Sequence, residues 1–315
     1  MNLPTTNDVV AAHDRIRAHV HRTPVFTSRT LDERVGGTVF LKAENFQRVG
    51  AFKFRGAVNA VLSLSDAAAS QGVVTHSSGN HAQAVALAAT LRGIPAWVVM
   101  PDNAPAVKVA AVRGYGATIV MCAALPAARE ETAEAVRLET GATFIHPSND
   151  AMVIAGQGTA ARELLQDIDG LDLVLAPLGG GGILSGTALA AIEFGVRVIG
   201  VEPEAADDGF RSLQAGKILD AGNPQTIADG LRTSLGSRTF PLIRDHVERV
   251  VTVSESAIVE ALRFVYERMK LVVEPSAVVT IAAMLDGQLN VRGLRVGAIL
   301  TGGNMDAVRL GALLA

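Results

Sequence analysis

From residue 38 onward, short apolar runs rich in β-branched residues alternate with longer Ala/Leu segments of helical spacing. The runs "TVFLKAE" (38–44), "GVVTHS" (72–77), "AWVVM" (96–100) and "ATIVMC" (117–122) read as strands. So do "LDLVLAP" (171–177), "VRVIGVEPE" (196–204), "RVVTVS" (249–254) and "RVGAIL" (295–300). Strands so continuously apolar are covered on both faces. Between them, segments near 53–64, 80–91 and 105–113, the charged stretch "AAREETAEAVRLE" (127–139) and a long segment ending at Lys270 read as helices. Such alternation requires crossover connections, and hence an α/β chain of open, mostly parallel sheets flanked by helices.

A chain of 315 residues exceeds what one hydrophobic core usually organises, so two lobes are expected. No Gly/Ser linker, internal repeat or low-complexity segment separates them. The boundaries fall in ordinary loops, which puts residues 1–66 with 150–315 in a larger lobe and 67–149 in a smaller one. Half of the residues are apolar (49%) but only 4% are aromatic, so the core is built from Ala, Val, Leu and Ile. A net charge of -3 without a long basic run speaks against nucleic acid and against an anionic membrane surface as partners. Cys122 is the only cysteine, which rules out an intrachain disulfide and a thiolate metal cluster. The start, "MNLPTTNDVVAAHDRIR", shows no basic region followed by an apolar one, and the longest apolar stretches are broken before membrane-spanning length. A cytoplasmic protein acting on a small molecule is expected.

Three loops then carry the candidate chemistry, each where a strand hands over to a helix or ends: "HSSGNH" (76–81), "PLGGGG" (177–182) and "TGGN" (301–304). Ligands of open α/β sheets bind at such carboxyl ends of strands. Gly179, Gly180, Gly181 and Gly182 leave bare N–H groups before a helix, an anion cradle suited to phosphate, although a glycine run is also an ordinary flexible turn. No Lys-Ser or Lys-Thr pair follows, which disfavours a nucleotide triphosphatase. "GGGGILSG" fits the dinucleotide fingerprint only when forced, so a nicotinamide dehydrogenase is a weaker alternative. Lys53, between Phe52 and Phe54, is an amine in an apolar setting. Burial would depress its pKa and make it nucleophilic; alternatively its head snorkels to water. An apolar lysine, a phosphate cradle and an asparagine-bearing loop together suggest pyridoxal phosphate, whose aldehyde needs an amine and whose phosphate needs dipoles.

The chain resembles the serine/threonine dehydratase family, pyridoxal-phosphate enzymes of fold type II (tryptophan-synthase-β-like) that include serine racemases and hydroxyaspartate dehydratases. The resemblance runs from "RTPVFTS" at 22 to "TGGNMD" at 306, through "GAFKFRGA", "SSGNHAQA", "HPSND", "VIAGQGT", "GGGGILSG", "EPEAADD", "IADGLRTS" and "MKLVVEPSA". It implies a large cofactor-binding domain and a small mobile one. It further implies that Lys53 links to the cofactor and removes the Cα proton, that Phe52 packs on the pyridine ring and that Asn80 bonds the phenolic oxygen. Gly179 to Gly182 with the Ile183 amide would hold the phosphate, and Thr301 would face the pyridine nitrogen. A hydroxyl there makes a weaker electron sink than a carboxylate, which favours loss of a β-hydroxyl. Ser77, Ser78 and His81 would surround the substrate carboxylate at a helix N-terminus, with Ser78 as acid/base opposite Lys53. Glu202, Asp208 and the Ala206 carbonyl offer hard oxygen ligands for magnesium, manganese or calcium.

The expected activity is dehydration of L-serine or L-threonine to a 2-oxo acid and ammonia by a homodimer. Hydroxyaspartate dehydratase and serine racemase are the alternatives on the same scaffold, and a non-catalytic ligand-binding protein is a remote one. Arg129 aligns with a mobile-domain arginine that approaches the site, but an ion pair with a neighbouring glutamate is the favoured expectation. The chain departs from the family at Val49-Gly50-Ala51, where a threonine and a serine are usual. That puts nucleotide activation in doubt, and Gln83 and Tyr115, which match parts of a nucleotide site, have ordinary structural explanations. The chain stops soon after "TGGN", so no regulatory domain is expected there.

Overall fold

The computed structural model describes residues 2–104 and 106–315. Residue 105, where the third expected helix begins, lies outside them, and that helix is seen as Ala106–Gly114. In chain order the strands are β1 (Val25–Phe26), β2 (Thr38–Ala43), β3 (Val73–His76), β4 (Ala96–Pro101), β5 (Thr118–Cys122), β6 (Thr143–Phe144), β7 (Leu173–Pro177), β8 (Arg197–Pro203), β9 (Arg249–Val253) and β10 (Arg295–Leu300). One sheet has the order β1-β2-β10-β7-β8-β9 and the other β5-β4-β3-β6. Every pairing is parallel except β1 with β2. All eight strands expected from the apolar runs are present. β1 and β6 span two residues each, too short to leave a periodic signal.

Among the described residues no helix is long and apolar enough to cross a membrane. The 17-residue helix Ala151–Asp167 is not apparent in the hydrophobic pattern, because Gly156 and Gly158 read as breakers. Both instead permit close approach of backbones. A Cβ on Gly158 would lie 2.5 Å from the Gly186 carbonyl oxygen, and one on Gly156 would lie 2.5 Å from the Arg55 carbonyl oxygen. Gly56 and Gly186 return these contacts, so the helices Lys53–Leu62 and Gly182–Ile192 both press on the same central helix. Those two helices carry the lysine and the glycine loop. Their spacing is therefore set by backbone contact, with no side chain between to adjust it.

The long helix expected to end at Lys270 is regular over Glu255–Phe264, then widens to a π-turn over Val265–Met269. Lys270 closes it in the left-handed region at φ 59.

Candidate active site

Lys53 opens its helix directly after Phe52, and the Lys53 amine lies 5.0 Å from the centre of the Phe52 ring. The approach to it is fixed by the loop after β10. Phe52 N–H donates to the Thr301 carbonyl (3.0 Å), Gly303 N–H to the Gly50 carbonyl (2.9 Å), and Ala51 bridges Gly302. The Lys53 amine donates to the Pro147 carbonyl at 2.9 Å. Burial pushes its pKa down to about 8, against an upward pull from Glu274. At pH 7 about a tenth of such an amine is neutral, against about three parts in ten thousand for an ordinary lysine. The carboxylate nearest in sequence, Glu44, is spent elsewhere: it binds Arg55 Nε at 2.7 Å and Nη2 at 2.8 Å. Arg55 also holds Glu163, at 2.8 Å on each oxygen, and Lys42 binds the same Glu163 at 2.8 Å. These four buried groups anchor the first turn of the lysine's helix to β2 and to the central helix.

The glycine loop follows β7 and enters the Gly182–Ile192 helix with Gly181 at φ 82. Every wall is close. A Cβ would stand 2.9 Å from Leu231 Cα at Gly179, 2.5 Å from Ser148 Oγ at Gly180 and 2.4 Å from Gln157 Oε1 at Gly182. Side chains there would fill the space that exposes the N–H groups. Gln157 Oε1 is buried without a partner, while its amide nitrogen donates to the same Pro147 carbonyl as Lys53 (3.3 Å). The segment 147–157 thus joins the amine to the glycine loop. It lies in "HPSND" and "VIAGQGT", two stretches that carried the family resemblance without assigned roles.

Asn80 is the first residue of its helix, with Gly79 as N-cap, and does not itself cap the helix. Its amide nitrogen lies 3.1 Å from both Glu274 oxygens, and its carbonyl oxygen accepts from Asn304 Nδ2 at 2.8 Å. Glu274 is buried, and burial raises its carboxyl to about 7 even though the Asn80 hydrogen bond pulls it down. Sequence reasoning missed Glu274 and Asn304. A lone acid in the apolar run "LVVEPSA" was the available signal for the first. Thr301 is buried at the end of β10.

Ser77 and Ser78 are half-buried in the loop between β3 and the Asn80 helix, with Ser77 Oγ accepting from Gly79 N–H at 3.2 Å. His81 departs from its expected role. Its ring is buried, Nε2 donates to the Ile145 carbonyl at 3.1 Å, and burial holds its pKa well below normal. A neutral ring tied to backbone offers no charge to a substrate carboxylate. His146 is likewise kept neutral by burial, at about 4, and its Nδ1 accepts from Ser148 and Asn149 N–H at 3.1 and 2.8 Å. The expected ion pair of Arg129 is absent: among the described residues it has no carboxylate partner, and its Nε is buried and unpaired. It stands close enough to His76 to lower that ring's pKa, after burial itself and against Glu130. The His76 ring lies 6.2 Å from that of His146.

Glu202 is the last residue but one of β8 and Asp208 opens the Asp208–Ala215 helix, and both are buried, as is Ala206 between them in the chain. Burial raises Glu202 to about 8 and Asp208 to about 6. Among the described residues Asp208 Oδ2 has no partner, whereas Glu202 Oε1 accepts from Phe210 N–H at 2.6 Å. No group of three or more His, Cys, Asp or Glu so placed that it could hold a metal ion occurs among the described residues. Two buried, uncompensated carboxyls beside a carbonyl fit a hard cation, which would supply the missing positive charge.

Two parallel sheets with a buried amine and a glycine cradle at their strand ends define a pyridoxal-phosphate enzyme of fold type II. The family model described as "Pyridoxal-phosphate dependent enzyme" matches residues 16–302, and the chain belongs to that family. It is 49% identical to a beta-hydroxyaspartate dehydratase of Paracoccus denitrificans, covering 98% of this chain and 99% of that protein. It is also 49% identical to an L-threo-3-hydroxyaspartate ammonia-lyase of Saccharomyces cerevisiae, over 100% of this chain and 97% of that one. Among solved structures, serine racemase from Dictyostelium discoideum superposes with a TM-score of 0.93 at 44% identity, covering 96% of this chain and 99% of that one.

Proposed function

We propose that this chain removes water from a β-hydroxy-α-amino acid, with a 2-oxo acid and ammonia as products, and that it prefers a 3-hydroxyaspartate to L-serine or L-threonine. The observation that carries the preference is Arg129, a cation without a carboxylate partner among the described residues, on the lobe that includes the serine loop. A second substrate carboxylate would satisfy it, and L-serine and L-threonine have none. The printed names of the two hydroxyaspartate-acting relatives support the same choice, although a serine racemase of Arabidopsis thaliana is equally identical, at 49%.

Bound pyridoxal phosphate would supply the electron sink that acidifies the Cα–H bond. It fits the residues present: Gly179 to Gly182 and the Ile183 amide would hold its phosphate through N–H groups, Phe52 would flank its ring, Thr301 would face its nitrogen and Asn80 its phenolic oxygen. The Lys53 amine, part-neutral near pH 7, takes the Cα proton. Ser77 and Ser78 hold the α-carboxylate at the helix N-terminus, the β-hydroxyl leaves as water with the proton taken from Cα, and the unsaturated amine that remains is hydrolysed to the 2-oxo acid and ammonia. Residues 67–149 form the small mobile domain, tied to the rest by Lys108 and Asp229 at 3.8 Å. The Glu202–Ala206–Asp208 site holds a divalent cation that organises the larger lobe. A homodimer is the assembly the resemblance implies, and exposed Phe46 and Val272, brought together where Asn45 Nδ2 donates to the Val272 carbonyl at 3.2 Å, offer an apolar surface for it.

The test is 2-oxo acid release from threo-3-hydroxyaspartate, L-serine and L-threonine by the wild type and Arg129→Leu. The substitution should raise KM for hydroxyaspartate about tenfold or more and leave that for L-serine nearly unchanged. Equal effects on both would remove the preference. A racemase reading rests on Ser78, positioned opposite Lys53 by the resemblance. Chiral chromatography decides it: D-serine accumulating faster than pyruvate from L-serine would replace dehydration by racemisation as the main activity.

A further inference from the structure

Asn304 sits at the solvent-exposed rim of the loop after β10, yet both hydrogens of its amide nitrogen are engaged. One goes to the Val49 carbonyl at 2.7 Å and the other to Asn80 Oδ1 at 2.8 Å. Val49 is β-branched and buried at φ 57, a left-handed conformation that such a residue avoids. It persists only where the surroundings over-determine it. Gly50 follows at φ 69, and a Cβ on it would lie 2.7 Å from Asn304 Oδ1. One side chain therefore clamps the strained turn four residues before Lys53 and reaches across to the head of the Asn80 helix.

The second bond has a directional consequence. An asparagine amide can sit either way round, and its neighbours decide which. Here a donor, Asn304 Nδ2, faces one end of the Asn80 amide and two carboxyl oxygens of Glu274 face the other. Turning Asn80 over would set nitrogen against nitrogen and oxygen against carboxylate. We infer that Asn304 is a positioning residue: together with Glu274 it fixes which way round the Asn80 amide sits, with its nitrogen on the Glu274 side and a hydrogen left for the cofactor, and it ties that orientation to the backbone leading into Lys53. The inference rests on the reading that Asn80 donates to the phenolic oxygen of pyridoxal phosphate.

The test uses the holoenzyme and Asn304→Asp, which keeps shape but replaces the donating nitrogen by an accepting oxygen. Its visible spectrum, the pH titration of that spectrum and cofactor retention on dilution are measured, alone and in an Asn80→Ala background. Asn304→Asp should weaken cofactor retention about tenfold and shift the spectral titration by about one pH unit. In the Asn80→Ala background the change in both should be clearly smaller, since only the contact with the Val49 carbonyl is then left to lose. Asn304→Ser, which loses both bonds without adding a repelling oxygen, should fall between wild type and Asn304→Asp, and serves if the aspartate variant does not fold. Equal effects with and without the Asn80 amide would mean that Asn304 acts only on the Val49 turn, and would overturn the inference. So would a wild-type spectrum and retention in Asn304→Asp. If the wild type itself shows no visible band that Lys53→Ala abolishes, the reading beneath it fails and takes the inference with it.

Discussion

Glu163→Gln tests whether the buried charges behind Lys53 hold the site together. Glu163 accepts from both Nη atoms of Arg55 at 2.8 Å and from Lys42 at 2.8 Å, and the Lys42 and Arg55 side chains are 0% exposed. The amide keeps the shape but removes a negative charge, so Glu44 alone must balance two buried cations, with Asp167 only at 3.9 Å from Lys42. Breaking a buried pair in this way costs about 3–5 kcal/mol. With a melting entropy of roughly 2 cal/mol/K per residue, a chain of 315 residues should melt about 4–8 °C lower. Burial pushes the Glu163 carboxyl up, but Arg55 and then Lys42 outweigh it and hold it below its ordinary value. A depressed carboxyl contributes stability above its unfolded pKa and loses it as pH falls through the folded one. The wild-type advantage over Glu163→Gln should therefore be full at pH 7 and shrink below about pH 4. Calorimetry at several pH values reads both effects, and a Lys42→Met, Glu163→Leu double variant, which removes one charge of each sign, should recover much of the loss. A melting point for Glu163→Gln within about 1 °C of wild type at pH 7 would refute the reasoning.

The Lys53 amine at about 8 makes reloading of cofactor-free protein pH-dependent: the rate should climb through pH 8 instead of near 10.5, followed by the growth of visible absorbance. Lys53→Ala should lose the borohydride-reducible attachment altogether, and a phosphopyridoxyl peptide at wild-type level would contradict the assignment. Chelation should lower the melting temperature and magnesium, manganese or calcium restore it; if Glu202→Ala with Asp208→Ala leaves the metal response intact, the cation lies elsewhere.

What the sequence determined by itself was whatever short-range chemistry dictates. Continuous apolar runs named eight strands and with them parallel sheets, because a strand covered on both faces has no polar side to show. The four glycines and Asn80 stood out because each follows a strand and opens a helix, and Lys53 because it is an amine between two phenylalanines; the roles expected of them came from the resemblance. The tertiary structure decided the rest. Lys53 meets the Pro147 carbonyl across 94 residues, Asn80 meets Glu274 across 194, and Asn304 meets Asn80 across 224. No local propensity records a partner so distant. His81 and Arg129 show the same limit: a histidine after an asparagine reads as a ligand, and an arginine beside glutamates reads as paired. Burial against the Ile145 carbonyl made the first neutral, and among the described residues the fold left the second without a carboxylate. The central helix was hidden for the converse reason. Gly156 and Gly158 break helices when isolated, but here the packing of three helices at backbone distance outweighs their weak propensity, and only assembled neighbours supply that packing.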